Sequence, residues 1–280
     1  MISRLSVTIV RACLREGAGG SPTAVLDEVP LSDDERRRVP VRAGTSHAAF
    51  VSVRGSEVSL RFFTAEGELP ACGHGTVAAL AYLAARARGA GYRGTLHAAG
   101  RSFAGRAVRE GTRFRAVFEP GPVELREPTP GECARVLPPL GITPDTLVQG
   151  ARVASVGRAR LLVPVPSRAE LAALAPDFEG LRAACDRFGL LGCYVYSVPE
   201  PSGRIAARMF APSIGVPEDI ANANSTACLA ADLAERGTTE IAVDMGDSLG
   251  SPATVTASAR PVLRLGGVAE VAGAVRELSV

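Results

Sequence analysis

The chain has 280 residues, 46% hydrophobic and 21% charged, which is ordinary globular composition and enough for two cores of about 130–150 residues each. Its 31 basic and 29 acidic residues leave a net charge of +2, too little for a polyanion-binding surface, so no nucleic-acid partner is expected. Apart from three histidines every basic residue is arginine, and without lysine there is neither an internal Schiff base for pyridoxal phosphate nor a Walker-type lysine.

The chain opens on a short β-like run, Leu5–Val10. It is too short for a signal-peptide core and no A-x-A cleavage pattern follows, while no window approaches the roughly 18 apolar residues of a membrane span. A cytoplasmic protein with no membrane partner is expected. Gly17-Ala-Gly19-Gly20 superficially suggests a dinucleotide loop, but Pro22 stands where the third glycine of that motif belongs. Further strands are predicted at Thr23–Leu26, Ala49–Val53, Val58–Phe63 and Arg113–Phe118. Asp33–Arg38 is self-neutralising and reads as a solvated helix face.

The second half adds strands at Leu161–Val165, Tyr194–Val198, Ile205–Phe210, Glu240–Val243, Thr254–Ser258 and Val262–Leu265. Helical patterns cover Thr76–Arg88, Arg168–Leu174, Phe178–Phe188 and Ser225–Arg236. Strands outnumber helices, which indicates an α+β rather than a doubly wound protein. The six cysteines show no C-x-x-C pair and no zinc-type spacing, so reduced thiols and no metal are expected.

Glu68 to Leu80 is the most informative stretch. It runs from a strand through Cys72, Gly73, His74 and Gly75 into an apolar helix beginning near Thr76, which places reactive side chains at a helix N-terminus. The unpaired N–H groups there favour an anion such as a carboxylate. The unit recurs: Arg61-Phe-Phe-Thr64 followed by Glu68 matches Arg208-Met-Phe-Ala-Pro212 followed by Glu218 and Asp219. An Asn-rich turn (Asn222, Asn224) and the Ser225 helix complete the second copy. Between the copies, residues 119–131 contain four prolines, the composition of a domain joint. The expected division is therefore an N-terminal lobe, 1–119, completed by a C-terminal strand at 266–280, then a linker, 120–131, and a second lobe, 132–265.

These residues carry a family resemblance. Arg61–Thr64 with Glu68 and Cys72–Thr76, then Arg208–Pro212 with Gly215, Glu218 and Asp219, resemble the two signature regions of the PhzF-like proteins of phenazine biosynthesis. Gly20-Ser-Pro-Thr-Ala-Val25 and Gly250-Ser-Pro-Ala253 resemble the family's early and late turns, so the similarity spans nearly the whole chain. The resemblance implies the diaminopimelate-epimerase fold: two pseudo-symmetric lobes, each a mixed curved sheet around a central helix, usually as a homodimer. It also implies a cofactor-independent isomerase that moves protons on a small carboxylated metabolite.

Two departures stand out. Where the family carries a proton-transferring Glu this chain has His47, which is either a replacement base, its reference pKa near 6.5 suiting the task, or a surface residue at a strand start. Beyond Asp219 the family's glycine-containing turn is replaced by Ile220–Ser225, whose Asn222 and Asn224 either supply amides to a ligand or cap the helix. The expected site is therefore Asp219, His47 and His74 as proton carriers, with Cys72, Gly73, Gly75, Thr76, Asn222, Asn224 and Ser225 holding the substrate. A two-thiol epimerase lacks its second cysteine. A hydrolase or lyase using Cys72 with His74 is disfavoured because residues two apart on a tight turn seldom face one another. A binding protein that has lost its base is the non-enzymatic alternative. The Arg- and Ala-rich composition suggests a high-GC genome, where relatives often serve antibiotic biosynthesis.

Overall fold

The computed structural model describes residues 4–143, 150–200 and 202–279. The first half contains β1 (Arg4–Ala12), β2 (Ser21–Asp27), α1 (Asp33–Ala43), β3 (His47–Arg54), β4 (Glu57–Phe63), β5 (Glu68–Leu69), α2 (Gly73–Arg86), β6 (Gly91–Ala98), β7 (Arg101–Glu110) and β8 (Arg113–Phe118). The second contains β9 (Glu124–Arg126), α3 (Pro130–Val136), β10 (Arg152–Val156), β11 (Arg158–Val165), α4 (Arg168–Ala173), α5 (Phe178–Phe188), β12 (Cys193–Ser197), β13 (Arg204–Ala211), β14 (Val216–Asp219), α6 (Ala223–Ala234), β15 (Glu240–Met245), β16 (Ala253–Ser258) and β17 (Arg264–Ser279).

Strand pairing repeats from one half to the other. In the first, β2 runs parallel to β3, β3 antiparallel to β4, β4 parallel to β6, and β6, β7 and β8 follow antiparallel. In the second, β11 runs parallel to β12, β12 antiparallel to β13, β13 parallel to β15, and β15, β16 and β17 follow antiparallel. Then β17 returns: residues 265–270 pair with β8 and residues 270–279 with β1, which closes the first set. Reciprocally β9, in the proline-rich stretch read as a linker, pairs with β10 of the second set.

α2 packs against every strand of the closed first set and is buried from Gly73 to Ala84. A helix apolar all round has no other stable place in a water-soluble fold. α6 packs against β9, β10, β11, β15, β16 and β17. One contiguous core contains apolar side chains of both helices, from Val77 and Leu80 to Leu229 and Leu233. Outside it, α1 covers Phe50 and Phe63, while α3 and α5 cover Leu161, Val163 and Phe210. Among the described residues no helix is long and apolar enough to cross a membrane.

Candidate active site

Each half aims a helix start with the same device. Arg61 on β4 donates two hydrogen bonds to Glu68 of β5 at 2.8 and 2.6 Å, and Arg208 on β13 donates two to Glu218 of β14 at 2.9 and 2.8 Å. Each guanidinium also lies over a ring of its own strand, Phe63 at 5.0 Å and Phe210 at 4.8 Å. A bidentate Arg–carboxylate pair fixes direction as well as distance. The clamps orient the two short strands that lead into α2 and α6, whose N-caps are Cys72 and Asn222.

The two helix starts meet. A Cβ on Gly73 would lie 2.6 Å from Ala223 Cβ and 2.9 Å from the Asn224 nitrogen, so only glycine permits this approach. Asn222 caps α6 by accepting from the Ser225 N–H at 2.9 Å, whereas α2 has no side-chain cap. The first N–H groups of α2 therefore remain available to an anion.

Around this junction the structure gathers four chemically active side chains. His47, 2% exposed at the first position of β3, sits edge-on to His74 with ring centroids 4.4 Å apart. It begins a strand but is no surface residue. The Ser46 hydroxyl lies 2.9 Å from its Nδ1. His74 Nδ1 lies 3.9 Å from Asp219 Oδ2, which also accepts from Asn222 Nδ2 at 3.0 Å. The other Asp219 oxygen is buried without a hydrogen bond. Cys72 Sγ lies 3.6 Å from His74 Nε2. The expectation that these two would face apart is thus corrected: Cys72 is extended (φ −141°, ψ 109°) and His74 helical, and the bend between them turns the side chains together.

The environments drive the titrating groups apart. Burial, then the charge of His74, holds His47 well below the ordinary imidazole range, so its ring is neutral. Burial also opposes charge on His74, but Cys72 and Asp219 outweigh it and raise the group to about 9, so the ring carries a proton. Burial lifts Asp219 above the usual carboxyl range, against the pull of His74 and Asn222. A neutral ring beside a protonated one is an acid–base pair.

A narrow cavity of about 30 Å³ is lined by His47, Cys72, Gly73 and His74 from the first half and Arg160, Asn222 and Asn224 from the second. An adjoining, more apolar space shares Cys72 and Asn224 and adds Phe62, Phe103 and Thr76. Asp219 stands behind His74 rather than on the wall. Three of the expected binding residues also have structural roles. Ser225 is fully buried with its hydroxyl on Met209 Sδ, Gly75 exists for packing because a Cβ there would press on Cys72 Sγ and Phe62, and the Thr76 hydroxyl is tied to the Cys72 carbonyl at 2.8 Å. Asn222 caps α6 through its Oδ1 and donates from its Nδ2 to Asp219.

Two neighbours were not read from sequence. Cys13 is fully buried in left-handed backbone (φ 63°), and burial together with Asp219 and Cys72 raises its thiol far above the ordinary range. Arg160 is the other. The ligand-type atoms of His47, Cys72 and His74 all lie within 4.8 Å of one another, a set chemically able to hold a cation. Against a dication stand the guanidinium of Arg160 on the same cavity and the positive ends of two helices.

Comparison with known proteins follows this geometry. The family described as phenazine biosynthesis-like protein, PhzC-PhzF, matches residues 12–272. The chain is 31% identical over 252 residues to the uncharacterized isomerase YddE of Salmonella typhimurium, covering 85% of this chain and 84% of that one. It is 28% identical to the trans-2,3-dihydro-3-hydroxyanthranilate isomerase of Pseudomonas fluorescens, covering 86% and 85%. Among solved structures it is similar to a predicted epimerase of Pseudomonas aeruginosa, with a TM-score of 0.84 and 25% identity over 99% of both chains. A hydroxyproline epimerase of Agrobacterium vitis, at a TM-score of 0.66 and 12% identity over 99% of this chain and 93% of that one, shares the fold. The family match over residues 12–272, with relatives named isomerases along most of the chain, makes the protein a member of the phenazine biosynthesis-like (PhzC-PhzF) family and an isomerase.

Proposed function

We propose that the chain is a cofactor-independent isomerase that shifts a proton, and with it a double bond, on a small carboxylated, amino-acid-derived metabolite. The observation that carries this is the contact between a neutral His47 and a protonated His74 on one cavity, with Asp219 buried behind His74. His47 takes a proton from carbon while the electron pair moves toward the substrate carboxylate. His74 then delivers a proton to the other end of the unsaturated system, and a proton passing from His47 to His74 across their edge contact restores the two rings, with Asp219 favouring the charge on His74. The α2 start faces the developing negative charge.

Supporting the substrate class are the anion-seeking helix start and the name of the Pseudomonas fluorescens relative. Dihydro-hydroxyanthranilate-like and unsaturated proline-type compounds both meet the requirement, and the high-GC composition favours a role in antibiotic biosynthesis. In this reading the two strand sets are two lobes, 1–119 with 266–280 and 132–265, each around α2 or α6 and joined by 120–131. The enzyme is a cytoplasmic homodimer. The Cys72 to His74 contact favours a second reading, a thiol-dependent epimerase or hydrolase. Reaction in deuterium oxide separates them: the proposal requires deuterium incorporation into a candidate carboxylate and survival of that exchange in Cys72→Ala. Loss of exchange in Cys72→Ala, with Asp219→Asn unaffected, would replace it by the thiol mechanism.

A further inference from the structure

Arg160 lies on β11, opposite Ala154 of β10, and is 1% exposed. Its guanidinium donates to Cys228 Sγ at 3.0 Å and to the Arg158 carbonyl at 2.9 Å, and its Nε has no partner. Among the described residues no carboxylate forms an ion pair with it. Cys228 does not substitute for one, because burial raises its thiol above the ordinary range despite the opposing effect of Arg160. A buried cation without a counter-ion is costly, and such charges persist where something else supplies the opposite sign.

The missing charge has a place to sit. Arg160 borders the cavity that His47 and His74 border, and the uncapped start of α2 opens on the same space. We propose that Arg160 is the anchor for the substrate carboxylate, holding it from the second half so that the carbon skeleton faces the histidines of the first. The guanidinium's fixed fork suits a planar two-oxygen anion. Its reach from β11 makes it a determinant of specificity for acids over their amides. This rests on the isomerase reading for the reaction but not for the binding.

The test compares acetate, proline and anthranilate with their corresponding amides, by calorimetry and thermal shift, on wild type, Arg160→Gln, Arg160→Met and Asp219→Asn. Wild type should prefer at least one acid over its amide by more than ~10-fold, and both Arg160 variants should abolish that preference while melting at or above the wild-type temperature. Asp219→Asn, in which His74 loses its charge, should retain the Arg160-dependent part of it. Equal binding of every acid and amide by wild type, preference intact in Arg160→Gln, or folded Arg160 variants that melt well below wild type would each overturn the assignment. Deuterium exchange into the bound acid is scored separately. Arg160-dependent binding without exchange sinks the isomerase reading alone, and exchange with unchanged affinity in Arg160→Gln sinks the anchor alone.

Discussion

Asp219→Asn tests the division of labour at the site. The substitution keeps size and the contact with Asn222 while removing the negative charge 3.9 Å from His74 Nδ1. At an effective dielectric constant of about 20, unit charges at that spacing attract by about 4 kcal/mol, or about 3 pH units. That is comparable with the whole rise of His74 from 6.5 to about 9, in which burial pulls downward and Cys72, ahead of Asp219, pulls upward. The variant should therefore bring His74 back to neutral pH or below. The acid form of His74 is present only below its pKa, so the alkaline limb of the rate profile should move from near pH 9 down to about 6–7, with turnover near pH 7.5 reduced about 4–30-fold. Proton NMR of the ring Cε1–H gives the same answer without substrate, and three histidines make the assignment tractable. A His74 signal titrating near 6.5 in wild type, or one unmoved by Asp219→Asn, would refute the reasoning.

His47→Ala should abolish deuterium exchange, whereas His47→Glu should retain part of it, with a profile displaced to acid because the reference carboxyl pKa is near 4.3; wild-type exchange in the alanine variant would remove His47 from the mechanism. Gly73→Ala should destabilise the fold by about 1–3 kcal/mol and weaken anion binding, since its Cβ would meet Ala223 at 2.6 Å and the Asn224 backbone at 2.9 Å. An unchanged melting temperature would show that the helix starts are not in contact. Activity should survive exhaustive dialysis against a chelator, and its restoration by zinc after such dialysis would assign His47, Cys72 and His74 to a cation.

What the sequence disclosed depended on local pattern. Arg113–Phe118 and Phe178–Phe188 are found at the predicted bounds, one alternating and the other carrying an Asp N-cap and a terminal glycine. The helices expected from Thr76 and Ser225 begin earlier, at Gly73 and Ala223, because glycine and asparagine have weak helix propensity and were read as turn. β6 and β7 were missed altogether. Residues 91–110 mix glycine and arginine with few β-branched side chains, and their pairing with each other and with β4 and β8 outweighs propensity. The paired Arg–Glu clamps are visible as a repeat that also contains His74 and Asp219, whereas His47 stands out only through the family resemblance. Arg160 was not, because an arginine in Val156-Gly-Arg-Ala-Arg-Leu-Leu162 reads as a strand's solvent face. The available signal was period 2: Arg160 shares a face with Leu162, itself 1% exposed.

The return of β17 to β1 and β8 gives this chain an unusual order of assembly in time. The strand set around α2 has seven of its members within residues 4–118, yet its closing strand begins at Arg264. At about 5–20 residues per second, the intervening stretch takes the ribosome on the order of 10–30 s to produce. Throughout that interval β1 and β8 present open edges flanking a wholly apolar helix, the arrangement most inviting to intermolecular pairing. Arg109, Glu110, Arg113 and Arg115 lie at or near one of those edges and give it charge of both signs. The nascent first half must therefore be kept solitary until the last strand arrives, and the demand on chaperones should fall on that half rather than on the second, whose strands follow one another without so long a wait.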